Sequence, residues 1–480
     1  MNKTITCDLA IIGGGGSGLF AAVRAAELGV KNIAVFEKSP SLGGNLRMAG
    51  TFFSTDFSDF GSYDSDENSI KLFRRVIKEL HLTGDPSIIK RYIFSSRRIA
   101  RWFEDHGLQY VPVTHGPFAS DCSRNVESAC EKKGPGQGRR LGMDIAGILT
   151  EEMAGYDSVT VYKKAAAKSL TVSGGVVRSA VIEMSGEYVN VEAGIVILAT
   201  GGAGGSHSSM CRYFPQLMSP GDELISQGMP ACTGDGIDMA SRIGAETGRH
   251  MRVHLLGPVY SGRIHCRLGM TMESPKALIL NKDGHRMTNE EFSRDIQELA
   301  NRSRGKVIYS IMDSDCMEEV WNETAEDAPE QSVSDIPSAY AGDLEKGCFA
   351  VADTIEDAAA FMGADPDTLR SEIGIYNACC ASGVDDRMCK SPEFLRPVLK
   401  APFYVLLGVR RMDSTQGGIT VNSAFEAVTP SGQPIHGMLV VGDHVSGFVS
   451  EYYSPGGAGM TWAMVSGYLA EEDAAARINK

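Results

Sequence analysis

A chain of 480 residues, 43% of them hydrophobic, exceeds what one ordinary core absorbs, so two or three domains are expected. The formal net charge of −14 argues against nucleic acid or an anionic membrane as partner. No apolar run reaches the roughly 18 residues of a membrane span. The N-terminal MNKTITC has neither a hydrophobic signal segment nor a twin-arginine pair, so a cytoplasmic protein is expected. The 11 cysteines form no C-x-x-C pair and the 10 histidines are scattered, which points to reduced thiols and to no metal site.

The strongest local signal lies between Cys7 and Lys38. Leu9 to Ile12 reads as a buried strand, followed by Gly13, Gly15 and Gly18 in G-x-G-x-x-G spacing. An alanine-rich helix, Leu19 to Leu28, stops at Gly29, and a second apolar run, Ile33 to Phe36, delivers Glu37. This is a strand–turn–helix–strand unit with an acid about 20 residues beyond the glycines, the pattern of a dinucleotide site. Gly13 permits the tight turn, Gly15 lets backbone approach a pyrophosphate, and Gly18 lets the helix pack on the strand. The helix N-terminus offers N–H groups and partial positive charge to phosphate, while Glu37 can accept from ribose hydroxyls. An acid at that place argues against a 2′-phosphate, so the dinucleotide is FAD or NAD.

The next segment, SPSLGGNLRMAGTFFS, carries Gly43, Gly44 and Gly50 and is read as a loop along the cofactor. Residues 68 to 106 have helical periodicity, and 111 to 141 is loop-like, with Arg139 and Arg140 expected as solvated charges. A second buried strand, Ile195 to Leu198, ends in a glycine turn, and Thr233 to Ala240 gives a glycine–acid–glycine helix start. From about 248 to 400 the chain has more charge, more loops and short helices, including one capped by Asp365-Pro366, and is read as a separate cap. Ile419 to Thr429 reads as two strands and Met438 to Val441 as another. A glycine turn then feeds a helix from about Met460.

These elements in this order resemble the FAD-binding family of fumarate reductase and succinate dehydrogenase flavoprotein subunits. The resemblance rests on Gly13 to Gly18, Glu37-Lys38, Gly43-Gly44, Ala199-Thr200-Gly201-Gly202, Thr233-Gly234-Asp235-Gly236, Thr415-Gln416-Gly417-Gly418, Gly442-Asp443 and Pro455-Gly456-Gly457. It implies an α/β fold: a discontinuous Rossmann-like FAD-binding domain, residues 1–247 and 401–480, with an inserted α+β capping domain, residues 248–400. The cofactor is then FAD. Its binding residues would be Gly13, Gly15, Gly16, Ser17, Gly18, Glu37, Lys38, Gly43, Gly44, Asn45, Gly50, Ala199, Thr200, Gly201, Gly202, Asp235, Gly442, Asp443, Gly456, Gly457 and Ala458. By the family's pattern Asp443 would hydrogen-bond the ribitol, and Gly456 and Gly457 at a helix N-terminus would stabilise negative charge on reduced flavin. Some members attach FAD covalently through a histidine after the second strand. Here the first histidine is His81, so the FAD is expected to be non-covalent.

Reduction of the fumarate type needs a hydride from the flavin, a proton for the neighbouring carbon, and a group polarising the electron-withdrawing end. The family's proton donor is an arginine a few residues after a G-x-R-F-x-N-E turn. Gly284 to Asp295, GHRMTNEEFSRD, places Arg294 there; the alternative is a surface arginine paired with Asp295 or Glu291. The carboxylate clamp is largely replaced. Ser414 stands in a histidine place, Ser450 and Ser454 stand in the histidine and arginine places of the last glycine turn, and one histidine remains as His254. Tyr452 and Tyr453 precede that turn, as in 3-ketosteroid dehydrogenases and enone or phenolic reductases. A tyrosine near ~10 is also a better acid than an arginine above ~12. The expected substrate is thus a small unsaturated molecule, bulky and weakly acidic or neutral. The electron donor would be a reduced nicotinamide, a flavin or a redox partner protein. A ketosteroid-type dehydrogenase running oxidatively, an aspartate-oxidase-like enzyme and an electron-relay flavoprotein subunit are the alternatives.

Overall fold

The computed structural model describes residues 3–55, 66–79, 84–112, 124–128, 140–218, 225–226, 228–248, 251–256, 267–272, 274–291, 303–323, 332–409, 411–448 and 457–478. Five of the eight strands of the principal sheet run parallel, in the order Pro434–Val440, Glu187–Leu198, Thr4–Ile12, Ile33–Glu37 and Val159–Lys163. Leu9 to Ile12 and Ile33 to Phe36 are all buried, as strands covered on both faces must be. The strand Glu187–Leu198 is longer than its apolar core suggests. Its first half pairs antiparallel with Val176–Met184, and its second half pairs parallel with Pro434–Val440. The first half, which also pairs with Thr4–Ile12 on its other side, buries only alternate residues such as Val189 and Val191, so it shows no continuous apolar run.

The first helix, Gly16–Glu27, begins earlier than its alanine run, with Gly16, Ser17 and Gly18 forming its first turn. It packs on the last helix, Ala458–Ile478, so closely that a Cβ on Gly467 would lie 2.3 Å from the Ser17 carbonyl oxygen. The segment expected to be helical from 68 to 106 is two helices, Glu67–Glu79 and Pro86–Asp105. Asp85 opens the second: its side chain accepts from Ser87 and Ile88 N–H, with proline at the first helical position.

The inserted segment contains a four-stranded antiparallel sheet, in the order Leu278–Asn281, Val307–Met312, Phe403–Val409 and Phe349–Ala352. Its third strand lies beyond residue 400, where the capping segment was expected to end. The Asp365 cap is formed as expected, its side chain accepting from Thr368 N–H, and Leu369, Ile373 and Tyr376 are buried. Cys379, rather than Cys380, completes the buried face. Among the described residues no helix is long and apolar enough to cross a membrane.

The last helix is buried almost all round, which is why its sequence shows little amphipathic pattern. Within it Glu471 is 0% exposed, and neither carboxyl oxygen has a hydrogen-bond partner among the described residues. Burial raises its pKa well above the ordinary 4.5, so the acid is neutral in the folded chain. A raised folded pKa means this group's contribution is fully present below the unfolded value and is lost as pH rises toward the folded one. Above about pH 4.5 each pH unit should therefore remove about 1.4 kcal/mol until the folded pKa is reached. Glu471→Gln, neutral at every pH, should melt higher than the parent at pH 8, with the gap closing toward pH 5. Parallel melting curves across that range would contradict the assignment.

Candidate cofactor and substrate site

Four parallel strands end at one level, since Ile12 pairs with both Phe36 and Leu198, and Leu198 pairs with Val440. Each runs into a turn singled out above: Gly13 to Gly18, Glu37-Lys38, Ala199 to Gly202, and Gly442-Asp443. This is the edge at which open α/β sheets bind ligands.

The glycines have distinct jobs there. Gly13 has φ +112°, and a Cβ on it would sit 2.3 Å from the Ala199 carbonyl oxygen. A Cβ on Gly18 would sit 1.9 Å from the Gly13 carbonyl oxygen. Gly15 is different: its φ is −77°, and a Cβ there meets nothing within 4 Å. The space beside the middle glycine is therefore open, as backbone approach by a pyrophosphate requires. The first helix has no side-chain N-cap and no acid in its first turn. Its leading N–H groups and positive dipole end suit an anion.

Glu37 is buried, and its carboxylate accepts from the N–H of Gly14 at 2.7 Å and of Ser39 at 2.6 Å. It thus braces the glycine turn, and each oxygen keeps a lone pair for a hydroxyl. Lys38 Nζ meets Asp235 Oδ2 at 2.6 Å and Thr233 Oγ1 at 2.7 Å. Both charged groups are partly exposed, so the contact adds little stability but ties the second strand to the helix Asp235–Arg242.

The loop after Glu37 lies along the turn as expected. Gly43 N–H donates to the Gly14 carbonyl at 2.8 Å, and Gly43 and Gly15 form a parallel bridge. Asn45 Oδ1 accepts from Met229 N–H at 2.7 Å, and the loop continues past Gly50 into the strand Phe52–Ser54. The helix Leu141–Ala154 covers it, with Gly142 so close that a Cβ would be 1.8 Å from the Leu46 carbonyl oxygen. Arg140, expected in solvent, is half-buried and donates to the Met48 carbonyl at 2.7 Å. Burial lowers its pKa. Arg139 lies outside the described residues.

On the other side, a Cβ on Gly202 would lie 2.2 Å from Thr415 Oγ1, which accepts from Ala203 N–H at 2.7 Å. Gly442 is held from behind by the last helix: its N–H donates to Ser466 Oγ at 3.0 Å, and Trp462 Nε1–H donates to its carbonyl at 2.9 Å. The Asp443 carbonyl accepts from Gly417 N–H at 2.7 Å. Gly457 sits against the backbone of Thr51, bringing the N-terminus of the last helix, at Ala458, to the cofactor loop. Gly456 lies outside the described residues. Two buried groups escaped the sequence reading. Cys232 has its thiol pushed up to about 12 by burial, with the Asp443 charge adding, so it is neutral. His444 directly follows Asp443, and that adjacency is its only sequence signal.

The candidate catalytic residues are placed less fully. His254 lies on the strand Arg252–Leu256, directly opposite Ser414 on Arg411–Gln416, with a register shift just after it. The histidine that remains and the serine in the second histidine's place are therefore neighbours. The His254 side chain, Arg294, Tyr452, Tyr453, Ser450 and Ser454 lie outside the described residues. The turn leading to Arg294 is firmly anchored. Buried Arg286 donates to Glu290 at 3.0 and 2.8 Å and pairs with Asp385 at 2.8 Å, and Lys390 lies 3.2 Å from Glu290. Burial pushes the Asp385 carboxyl up, but Arg286 and the N–H groups of Met388 and Lys390 outweigh it and hold it at about 2. Glu291 accepts from Ser391 Oγ at 2.9 Å and from Ser391 N–H, whose bond lowers its pKa.

Residues 8–460 match the FAD binding domain family, and the chain belongs to it. The cofactor is FAD, and the open face at Gly15, the uncapped helix and the Glu37 carboxylate fit it. The chain is 22% identical to an NADH:fumarate oxidoreductase of Klebsiella pneumoniae, over 98% of its own length and 48% of the relative's. It is 25% identical to a vinyl phenol reductase of Lactiplantibacillus plantarum, over 93% and 92% of the two lengths. The chain spans about half the length of some of the curated relatives it matches. Its fold is that of the 3-ketosteroid Δ1-dehydrogenase of Sterolibacterium denitrificans, with TM-score 0.77, 18% identity, and 98% and 99% of the two chains covered.

The glycine geometry separates fold from cofactor. Gly15→Ala should leave an apoprotein that melts like the parent but binds FAD at least ~10-fold more weakly. Gly18→Ala should fail to yield soluble protein. Equal FAD affinity in Gly15→Ala, measured by flavin titration, would show that the open face is not where the pyrophosphate lies.

Proposed function

We propose that this chain is an FAD-dependent oxidoreductase acting on a carbon–carbon bond, and that it reduces the C=C bond of a bulky unsaturated compound, enone, steroid-like or phenolic. One observation carries the substrate class. Ser414 faces His254 on a small sheet that Thr415 fastens to the Ala199–Gly202 turn, so the place of a carboxylate-binding histidine is held by a neutral hydroxyl. That hydroxyl already accepts from Gln416 Nε2 at 2.6 Å. It cannot replace a charge-assisted contact to a dicarboxylate. The likeness to a vinyl phenol reductase along almost its whole length supports a substrate without a second carboxylate.

Bound FAD supplies the hydride equivalent for one alkene carbon. The chain's part is to bind, orient and protonate. His254 remains as a donor toward the polarising end of the substrate. Arg294 or one of Tyr452 and Tyr453 delivers the proton to the neighbouring carbon, Arg294 from the cap and the tyrosines from the turn before Gly456. Glu291, the alternative partner of Arg294, is engaged by Ser391, which supports leaving the arginine for substrate. Glu37, Lys38 and Asp235 hold the adenosine end, and Asp443 the ribitol. We assign residues 1–247 and the segment after Val409 to the cofactor domain, and the segment between to the cap. A cytoplasmic location accords with the eight free thiols among the described residues. A reduced nicotinamide, a flavin or a redox partner protein supplies the electrons.

The FAD is held without a covalent bond, because no histidine follows the second strand before His81. Acid precipitation should leave the yellow colour in the supernatant, and colour in the pellet would contradict this.

The function is tested anaerobically by photoreducing the flavin and screening unsaturated compounds for rapid reoxidation. Enones or vinyl phenols should oxidise it while fumarate does so slowly. Fumarate turnover equal to that of the best alkene overturns the substrate class, and reduction of resting flavin by a saturated ketone reverses the direction. Arg294→Ala, or one of Tyr452→Phe and Tyr453→Phe, should keep FAD bound and lower turnover ~10²–10⁴-fold. Normal turnover in all three would place the acid elsewhere.

A further inference from the structure

We propose that His444 is a positioning residue for the cofactor, locking the Ala199–Gly202 turn to the Gly442–Val445 turn so that both meet FAD as one rigid edge. The imidazole is fully buried between them. Its Nε2 lies 3.0 Å from the Leu198 carbonyl oxygen and its Nδ1 lies 3.0 Å from Thr200 Oγ1. A carbonyl can only accept, so Nε2 carries the hydrogen. Nδ1 is then the acceptor, and the Thr200 hydroxyl must donate to it. One neutral tautomer satisfies every polar atom of the contact.

The ring therefore spans the ends of two adjacent parallel strands. The Leu198 carbonyl accepts from Val441 N–H at 2.9 Å as well as from the imidazole, so His444 extends the sheet's hydrogen bonding one step past the last residue of the ladder. The backbone of the same residue reaches further. The His444 carbonyl accepts from Ile419 N–H at 2.8 Å, tying in the Thr415–Gly418 run.

A third segment closes over the pair. A Cβ on Gly236 would lie 2.1 Å from Thr200 Oγ1 and 3.1 Å from His444 Nδ1, so the helix Asp235–Arg242 rests directly on it. That helix begins with Asp235, which holds Lys38 beside Glu37. The His444–Thr200 contact thus sits where the segments carrying Glu37-Lys38, Ala199–Gly202 and Asp443 come together. A histidine that only filled the core would be expected to tie core elements together. This one ties together loops that bear cofactor residues. Burial lowers its pKa to about 4 and only backbone groups oppose the shift, so the neutral form required by the two hydrogen bonds holds at ordinary pH.

The test uses the full chain, stripped of flavin and titrated with FAD, with melting followed with and without FAD. His444→Val strands the Thr200 hydroxyl, and Thr200→Val strands the imidazole Nδ1 with little change of shape. Each should weaken FAD binding roughly 10- to 100-fold and shrink the melting shift that FAD produces. His444→Asn, whose Oδ1 stands near the Nδ1 position, should recover part of the affinity. FAD affinity within about twofold of the parent in His444→Val and Thr200→Val, even with a lower melting temperature, overturns the proposal and leaves a purely structural histidine. If His444→Val does not fold, unchanged affinity in Thr200→Val is sufficient to overturn it. No substrate enters this titration, so its outcome is independent of the alkene assignment.

Discussion

Three backbones approach too closely at Gly13 for any side chain to intervene, and the rest of the molecule is arranged around that contact. The Gly13 carbonyl touches the place where Gly18 would carry a Cβ, and the Gly13 Cβ place is filled by the Ala199 carbonyl. The end of Glu187–Leu198 is thereby pressed against the end of Thr4–Ile12, and the first helix is pressed against both of them. Its N-terminal N–H groups then point at the sheet edge with no side chain in front of them. Gly467 repeats the device on the other face of the same helix turn, against Ser17, so the last helix is drawn into the same cluster.

The chain returns to this edge from a great sequence distance, and hydrogen bonds set the exact position of the returning turns within the shared core. Ser466 and Trp462 hold both polar groups of the Gly442 peptide unit from the last helix. Phe448 stacks on Trp462 with ring centroids 4.4 Å apart, which covers that helix face where the chain leaves the Asp443 turn. Thr415 and His444 fasten the remaining turns. Buried polar groups of this kind are costly if left unpaired, so each partner strongly specifies the position of the other.

Charge is distributed unevenly between the two parts. Near the cofactor edge two of the buried titratable groups, Cys232 and His444, are neutral because burial outweighs every stabilising neighbour. Beside the four-stranded sheet, Arg286, Glu290, Asp385 and Lys390 remain a packed ionic cluster, since each has an opposite charge within reach and Glu290, Asp385 and Lys390 also a backbone group. Removing one member would leave the others buried without compensation. The cluster holds the Gly284–Glu291 turn, and therefore the start of the segment that carries Arg294, against the 385–391 loop.

The sequence by itself determined the strand–turn–helix–strand unit, its glycines, Glu37, the Asp365 cap and the strand end at Leu198. Each is a short-range effect, in which spacing, positive φ or burial on both faces leaves a mark within a few residues. It also carried the family and FAD, through turns quoted from one end of the chain to the other. Only the tertiary structure decided the antiparallel pairing of the first half of Glu187–Leu198, the break at Asp85, the membership of Phe403–Val409 in the four-stranded sheet, the opposition of His254 and Ser414, and the work of Arg140, Thr415 and His444. These depend on which distant segments meet. A histidine beside an aspartate looks the same in solvent as it does when a carbonyl two hundred residues away is waiting for its hydrogen.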